Sequence, residues 1–202
     1  MDLTRTRTSL HGIAELLLAG PQYAASGTIR LRVLPSGLAT VADPDLRLEG
    51  DELVSSAGRH PLSGSYAEVA AAAGVTLRSL ADLYSDHAGI DPDDHIELDP
   101  AHLAELTGAL AVGDAALRAF APDETPVLWP EHLDVAITLD EVNYGVSPGD
   151  GAVPEPYAYV GPWTPRTGDF WNVSFGAARP LSDLGSADAV AEFFKQGARL
   201  AT

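Results

Sequence analysis

The sequence contains no cysteine, and its lysine and arginine residues together number only 12 against 29 acidic residues. Without cysteine the chain has no disulfide framework, thiolate nucleophile, iron–sulfur cluster or cysteine-ligated zinc site. The net charge is −17, and a polyanion of this size is repelled by phosphate backbones and by anionic lipid. The composition therefore excludes nucleic acid and the membrane surface as primary partners.

Long apolar runs are missing as well. No window approaches the roughly 18 consecutive apolar residues that a membrane-spanning helix needs. The apolar stretch over residues 16–19 follows Arg5 and Arg7 in the manner of a signal peptide, but it is too short, and His11 and Glu15 interrupt the residues before it. We therefore expect a cytoplasmic protein with no membrane partner.

The apolar content is nevertheless high, because 46% of the 202 residues are hydrophobic, which is enough to form a buried core. No linker-like or low-complexity run divides the chain. We expect a single globular domain over residues 1–202, within which the pattern suggests subdomains over residues 1–80 and 99–202.

Capping residues and apolar periodicity predict four helices. A Gly-Pro pair is expected to end the first helix, and Gly74 the second. The predicted spans are residues 9–19, 66–73, 100–120 and 187–200, and the predicted caps are Ser9, Ser65 with Glu68, Asp99 and Ser186.

Short alternating segments bounded by Pro, Gly and Asp predict strands over residues 28–34, 38–42, 46–48 and 52–55, and residues 129–171 are aromatic and strand-like. Strands joined by short turns favour antiparallel pairing. The predicted fold class is therefore α+β, a mainly antiparallel sheet with an N-terminal helix, a long central helix and a C-terminal helix packed on it.

The first segment that carries chemistry is residues 129–139, in which apolar and other residues alternate. Alternation predicts a strand with His132 and Asp134 side by side on one face. Such a pair can share a proton, a metal ion or a polar ligand. A plain His–Asp hydrogen bond on a solvated face is the alternative.

The second segment is residues 143–150, where Gly145 and Gly149 permit positive φ and predict an ordered turn. Asn143 and Asp150 can present oxygen atoms to a ligand from this turn. Alternatively, their side chains satisfy the backbone of the turn itself.

The third segment, residues 154–163, places Glu155, Tyr157 and Tyr159 on one face of a strand that flanking prolines mark as an edge or irregular strand. Together with Trp163 and the aromatic residues at positions 170 and 171, the tyrosines either close a core or line an apolar pocket with polar tips.

These pieces read W-P-E-H-L-D from residue 129, N-Y-G-V-S-P-G-D from residue 143 and P-E-P-Y-A-Y-V from residue 154. Over about residues 126–180 they resemble an uncharacterised actinobacterial-type bacterial domain family of unknown function. Its pattern is W-P-x-H-F-D, N-x-G-x-S-P-G-D, P-E-P-Y-x-Y-V and a tryptophan-containing tail. The chain departs from this pattern at Leu133, where the family has an aromatic residue. The resemblance implies no established chemistry, and it places the family's polar motif residues at His132, Asp134, Asn143, Asp150, Glu155 and Tyr157.

Two functions are compatible with these patterns. The first is a module that binds a small molecule or a protein partner through its aromatic C-terminal half. Its expected ligand contacts are Asn143, Asp150, Glu155, Tyr159 and Trp163.

The second function is an enzyme with His132, Asp134 and Tyr157 as its acid–base groups. In a variant of this hypothesis a divalent metal is held by His132, Asp134 and Glu155. His11 is the alternative third ligand. Otherwise its i,i+4 spacing to Glu15 predicts a surface charge stripe.

Overall fold

Helices and antiparallel strands follow one another along the chain in a computed structural model that describes residues 2–85 and 87–201. The predicted α+β class is confirmed. The chain forms two compact units, one of Met1–Gly108 with Leu128–Leu133 and the other of Ala109–Val127 with Asp134–Thr202. Below they are called the N-terminal and C-terminal unit.

The N-terminal unit begins with a helical stretch made of α1 (Leu3–Gly12), a π-helical segment (Ile13–Ala19) and α2 (Gly20–Ser26). The predicted helix over residues 9–19 is too short at both ends. Asp2 caps the true start, where its carboxylate accepts from the Thr4 backbone N–H. The predicted N-cap at Ser9 is wrong.

The predicted stop at Gly20-Pro21 is wrong for a different reason. Gly20 stands where the Arg78 carbonyl leaves no space for a Cβ atom. Pro21 has no N–H to donate, and the wider π turn before it, in which the Gly20 N–H bonds to the Glu15 carbonyl, carries the chain onward. The Gly-Pro pair therefore marks close packing and a change of helix type.

The strands of this unit form an antiparallel meander, and β6 pairs with the outer side of β1 through Leu128. The strands are β1 (Leu31–Leu34), β2 (Gly37–Thr40), β3 (Arg47–Glu49), β4 (Glu52–Ser55), β5 (Gly58–Pro61) and β6 (Val127–Trp129). The first four match predicted strands in order, whereas β5 has no apolar alternation that a pattern could show. The core of the unit includes Leu38, Leu48 and Leu53 of the sheet and Leu10 and Leu17 of the helical stretch, all of which are fully buried.

The predicted spans of α3 (Tyr66–Ala73) and α4 (Pro100–Phe120) are confirmed. Ser65 and Glu68 form the expected capping box. The Asp99 carboxylate accepts from the N–H groups of Ala101 and His102 at the start of α4.

The C-terminal unit is an antiparallel sheet in the order β7-β8-β9-β10. Its elements are β7 (Asp134–Leu139), β8 (Val142–Ser147), β9 (Tyr157–Pro162), β10 (Ala177–Pro180), α5 (Leu181–Leu184) and α6 (Ala187–Ala201). The Ser186 cap and the α6 helix are as predicted, one residue longer at the end. Elements β10 and α5 are not among the predicted ones.

One face of this sheet is apolar and receives the helices. Gly113 of α4 lies against Val135 and Val146, and Gly197 of α6 lies against Val160. The rings of Phe120, Tyr144 and Phe194 pack together at centroid distances of 4.7 to 5.9 Å. None of the described helices is long and apolar enough to cross a membrane.

Candidate functional site

The other face of the C-terminal sheet carries polar and aromatic side chains. The strand register aligns Gly145 with Ala136 and Tyr159, and it aligns Ser147 with Tyr157. By alternation, Asp134 and Thr138 of β7 lie on this face as well. We call it the tyrosine–aspartate face, and its members are Asp134, Thr138, Asn143, Asp150, Tyr157, Tyr159, Trp163 and Phe175.

Tyr159 lies across β8. A Cβ atom at Gly145 would come within 2.6 Å of the Tyr159 ring, so that glycine gives the ring its place. The Tyr159 hydroxyl reaches β7, where it donates a hydrogen bond to Oδ2 of the buried Asp134. Three strands therefore build this first pair.

Tyr157 makes the second pair. Its hydroxyl donates to Oδ2 of Asp150 at 2.5 Å. Oδ1 of Asp150 accepts from the backbone N–H groups of Ala152 and Val153 at 2.7 and 2.8 Å. Asp150 thus orders its own turn and also fixes the buried Tyr157 ring.

Both tyrosines remain protonated at neutral pH. Burial raises the pKa of Tyr157 and of Tyr159 above the usual value of 10.0, and the carboxylates of Asp150 and Asp134 raise them further. The hydroxyls therefore act as hydrogen-bond donors to the carboxylates.

Trp163 and Phe175 of this face are exposed, at 63% and 39% of their full surface. The Trp163 indole N–H donates to Oδ1 of Asn143 at 3.3 Å, and the Thr138 hydroxyl donates to the same oxygen at 2.8 Å. The Phe175 ring stands 6.3 Å from Tyr157 and 6.4 Å from Tyr159. The aromatic residues therefore do not all have the same role. Tyr157 is buried like a core residue, whereas Trp163 is exposed to solvent.

Two predictions about this region need correction. Residues 143–147 form most of β8 and are not a turn, because their backbone pairs with β7 and β9 on both sides. Glu155 precedes β9 and is exposed, and its carboxylate accepts from the Ser182 hydroxyl at 2.9 Å. It is therefore not on the strand face that Tyr157 and Tyr159 share.

His132 is not on β7 either. Leu133 has a φ of 52°, in the left-handed region, and the strand begins only at Asp134. The period-two argument that placed His132 beside Asp134 therefore fails at Leu133. The His132 side chain is 55% exposed, and its Nε2 lies 3.8 Å from the Glu131 carboxylate.

In the N-terminal unit His132 belongs to a different group of ionisable side chains. Its charge acts on His11, whose Nε2 makes a 2.7 Å hydrogen bond to the Pro130 carbonyl. His11 in turn lies 3.8 Å from Glu15 in the π-helical segment. We call this group the His11 cluster, and its members are His11, Glu15, Tyr84, Glu131 and His132.

Glu15 is buried, so the predicted surface charge stripe is wrong. Its two carboxylate oxygens accept from the Tyr84 hydroxyl at 2.9 Å and from the Ala88 N–H at 2.8 Å. Burial lowers the pKa of His11 below 6.5, against the opposing effect of the Glu15 charge. Burial and the Glu15 charge raise the pKa of Tyr84.

The predicted metal set receives no support from this geometry. Over residues 2–85 and 87–201 no three His, Asp or Glu side chains form a group that could hold a metal ion. Glu155 is bonded to Ser182, and Asp134 accepts from Tyr159.

Several residues of both groups escape sequence reasoning. Phe175 follows no recognisable pattern, and Tyr84 lies in an acidic segment that gives no sign of contact with a helix. The spacing of His11 and Glu15 is visible in the sequence, but the same spacing is common on solvated helices, so it does not reveal burial.

The comparisons with known proteins add no relative. The chain matches no protein-family model, and no curated protein and no solved structure is significantly similar to it. The resemblance of residues 126–180 to a bacterial domain family therefore stays a prediction.

Proposed function

We propose that the protein binds a small molecule on its tyrosine–aspartate face. The observation that carries this proposal is the exposed Phe175 ring beside two hydrogen-bonded tyrosine–aspartate pairs, on a face that also carries the exposed Trp163. Exposed aromatic side chains next to a few fixed polar groups are typical of ligand sites.

The face is also rigid before any ligand arrives. Tyr157 and Tyr159 are held at the ring and at the hydroxyl, and Asp150 is held by two backbone N–H groups. Because little side-chain freedom remains to be lost, binding costs less conformational entropy here than on a mobile surface.

The test follows the indole N–H resonances of Trp163 and Trp129 by NMR while three probes are added. The probes are choline, its neutral carbon isostere neohexanol, and the anionic tert-butylacetate. We expect at least one probe to shift the Trp163 signal in a saturable way and to leave the Trp129 signal unchanged. Trp163→Leu removes this reporter, so its binding is measured by isothermal titration calorimetry. The substitution should abolish binding without lowering the melting temperature, since this side chain is mostly exposed.

The proposal is wrong if no probe shifts the Trp163 signal, or if the probes shift the Trp129 signal equally. The cytoplasmic location and the lack of nucleic-acid and membrane partners, expected from the net charge of −17 and the composition, belong to the same proposal.

A second candidate function is acid–base catalysis, which the sequence predicts for His132 with Asp134, Glu155 and Tyr157. The observation that favours acid–base chemistry is the His11 cluster, where a buried carboxylate, two imidazoles and a tyrosine hydroxyl lie in one unit. Glu15 also lies in a π-helical segment, a feature that is frequent at functional sites. In this form of the hypothesis His11 and Glu15 take the place of Asp134 and Tyr157.

A further inference from the structure

We propose that the ligand of the tyrosine–aspartate face is an organic cation, an ammonium group with apolar substituents. This inference rests on the proposed function and deepens it, because it names the chemical class of the ligand. Three properties of the face support it: its hydrogen-bonding groups, its charge and its aromatic rings.

The hydrogen-bond donors of the face are already used within it. The hydroxyls of Tyr157 and Tyr159 donate hydrogen bonds to the carboxylates of Asp150 and Asp134. The Thr138 hydroxyl and the Trp163 indole N–H donate hydrogen bonds to the side-chain oxygen of Asn143. The Ser147 hydroxyl, which is aligned with Tyr157, is buried, and the Asn143 amide nitrogen is a further donor, so a ligand meets mainly acceptors on this face.

The charge of the face is negative. The carboxylates of Asp134 and Asp150 stand at the two tyrosine hydroxyls. A carboxylate that is shielded from water exerts a stronger field than an exposed one, because the local dielectric constant is lower. An anionic ligand would therefore be repelled.

Three basic side chains of the C-terminal unit have partners away from the two tyrosine hydroxyls. Arg179 lies over the rings of Phe170 and Phe193, and it alternates with Ala178, which is the β10 partner of Tyr159. Arg118 pairs with Asp114 on α4, and Arg166 donates to the Ala201 carbonyl. The carboxylate charges that act on the two tyrosines are those of Asp134 and Asp150.

The aromatic rings distinguish an organic cation from a hydrated metal ion or a neutral polyol. The rings of Tyr159 and Phe175 stand nearly perpendicular at 6.4 Å, and the exposed Trp163 adds the ring type that attracts cations most strongly. A hydrated metal ion gains little from such rings, and a neutral ligand lacks the attraction between a full positive charge and the carboxylates. An ammonium group with apolar substituents uses both.

The test compares the affinities of choline, neohexanol and tert-butylacetate for the full-length protein, measured from the Trp163 indole signal. The first two probes have nearly the same shape and differ in charge. We expect choline to bind at least about tenfold more tightly than neohexanol, and tert-butylacetate to bind more weakly than both.

Asp134→Asn keeps the shape of the side chain and an oxygen that can accept from Tyr159. It should weaken choline binding about tenfold and leave neohexanol binding unchanged. Asp123→Asn removes the same charge from an exposed position after α4 and serves as the matched control. Because Asp134 is buried, Trp163→Leu is the second variant. Isothermal titration calorimetry, which needs no indole signal, should show weaker choline binding by this variant at an unchanged melting temperature.

Equal affinities for choline and neohexanol would overturn the cation inference while leaving small-molecule binding in place. Tighter binding of tert-butylacetate would overturn it as well. Binding of none of the three probes would overturn both the inference and the proposed function.

Discussion

Among the residues that the structure describes, the buried acidic side chains are Glu15 and Asp134. Each accepts a hydrogen bond from a tyrosine hydroxyl, Glu15 from Tyr84 and Asp134 from Tyr159. Burying a carboxylate without partners is costly, and a neutral tyrosine provides a donor that stays protonated over the whole physiological pH range. The same pairing therefore stabilises both groups of ionisable residues.

His11 should make stability fall in mild acid. Burial lowers its pKa in the folded protein below the unfolded value of 6.5, so below that pH the unfolded chain takes up a proton that the folded protein refuses. This contribution is complete above pH 6.5 and is lost as the pH falls from there toward the folded pKa. When the pH is lowered from about 7.5 to about 5.5, we expect the free energy of unfolding to fall less in His11→Gln than in the wild type. Urea denaturation at the two pH values measures it.

His95→Gln is the control for this comparison, because His95 is exposed in the same unit. It should follow the wild-type pH dependence. An unchanged pH dependence in His11→Gln would show that His11 titrates alike in the folded and unfolded chain.

At the scale of elements, helices with complete local caps follow their sequence, and α3 is the clearest case. Ser65 accepts from the Glu68 N–H at 3.2 Å, Glu68 accepts from the Ser65 N–H at 2.9 Å, and Gly74 closes the helix with a φ of 66°. All these contacts lie within one short segment, so the sequence alone specifies them.

Ser65→Ala should destabilise the protein by about 1 kcal/mol, because it leaves the Glu68 N–H without its acceptor. The measurement is the urea midpoint at constant slope. Ser63→Ala, an exposed position just outside the helix, should change the midpoint little. Equal effects of the two substitutions would contradict the contribution of the cap.

At the scale of the whole molecule, the main electrostatic effect on stability comes from the net charge of −17. Basic residues are few, and ion pairs such as Arg59 with Glu49 and Glu52 are largely exposed, so each adds little to stability. Repulsion among the remaining carboxylates therefore destabilises the folded state.

Raising NaCl from about 0.02 M to about 0.5 M should raise the melting temperature, because shorter Debye lengths screen this repulsion more than they weaken the exposed ion pairs. Thermal unfolding followed by circular dichroism measures the change. KCl at the same concentrations should raise the melting temperature by a similar amount if screening is the cause. A melting temperature that falls with salt would show that ion pairs outweigh repulsion.

The sequence by itself determined the α+β class, the helices α3, α4 and α6, and most strands of the N-terminal unit. Caps and periodicity encode these elements within a few neighbouring residues. The sequence also indicated that Tyr157 and Tyr159 share a face, because side chains two residues apart on a strand point the same way.

Only the tertiary structure decided which carboxylate each tyrosine meets and where His132 lies. Tyr159 and Asp134 are 25 residues apart, and the register of three strands brings them together. Leu133 adopts a left-handed conformation that no local signal announces, and it separates His132 from the strand. Glu15 is buried because distant segments pack on the π-helical segment. Such packing depends on residues far apart in the chain, so no single stretch of sequence predicts it.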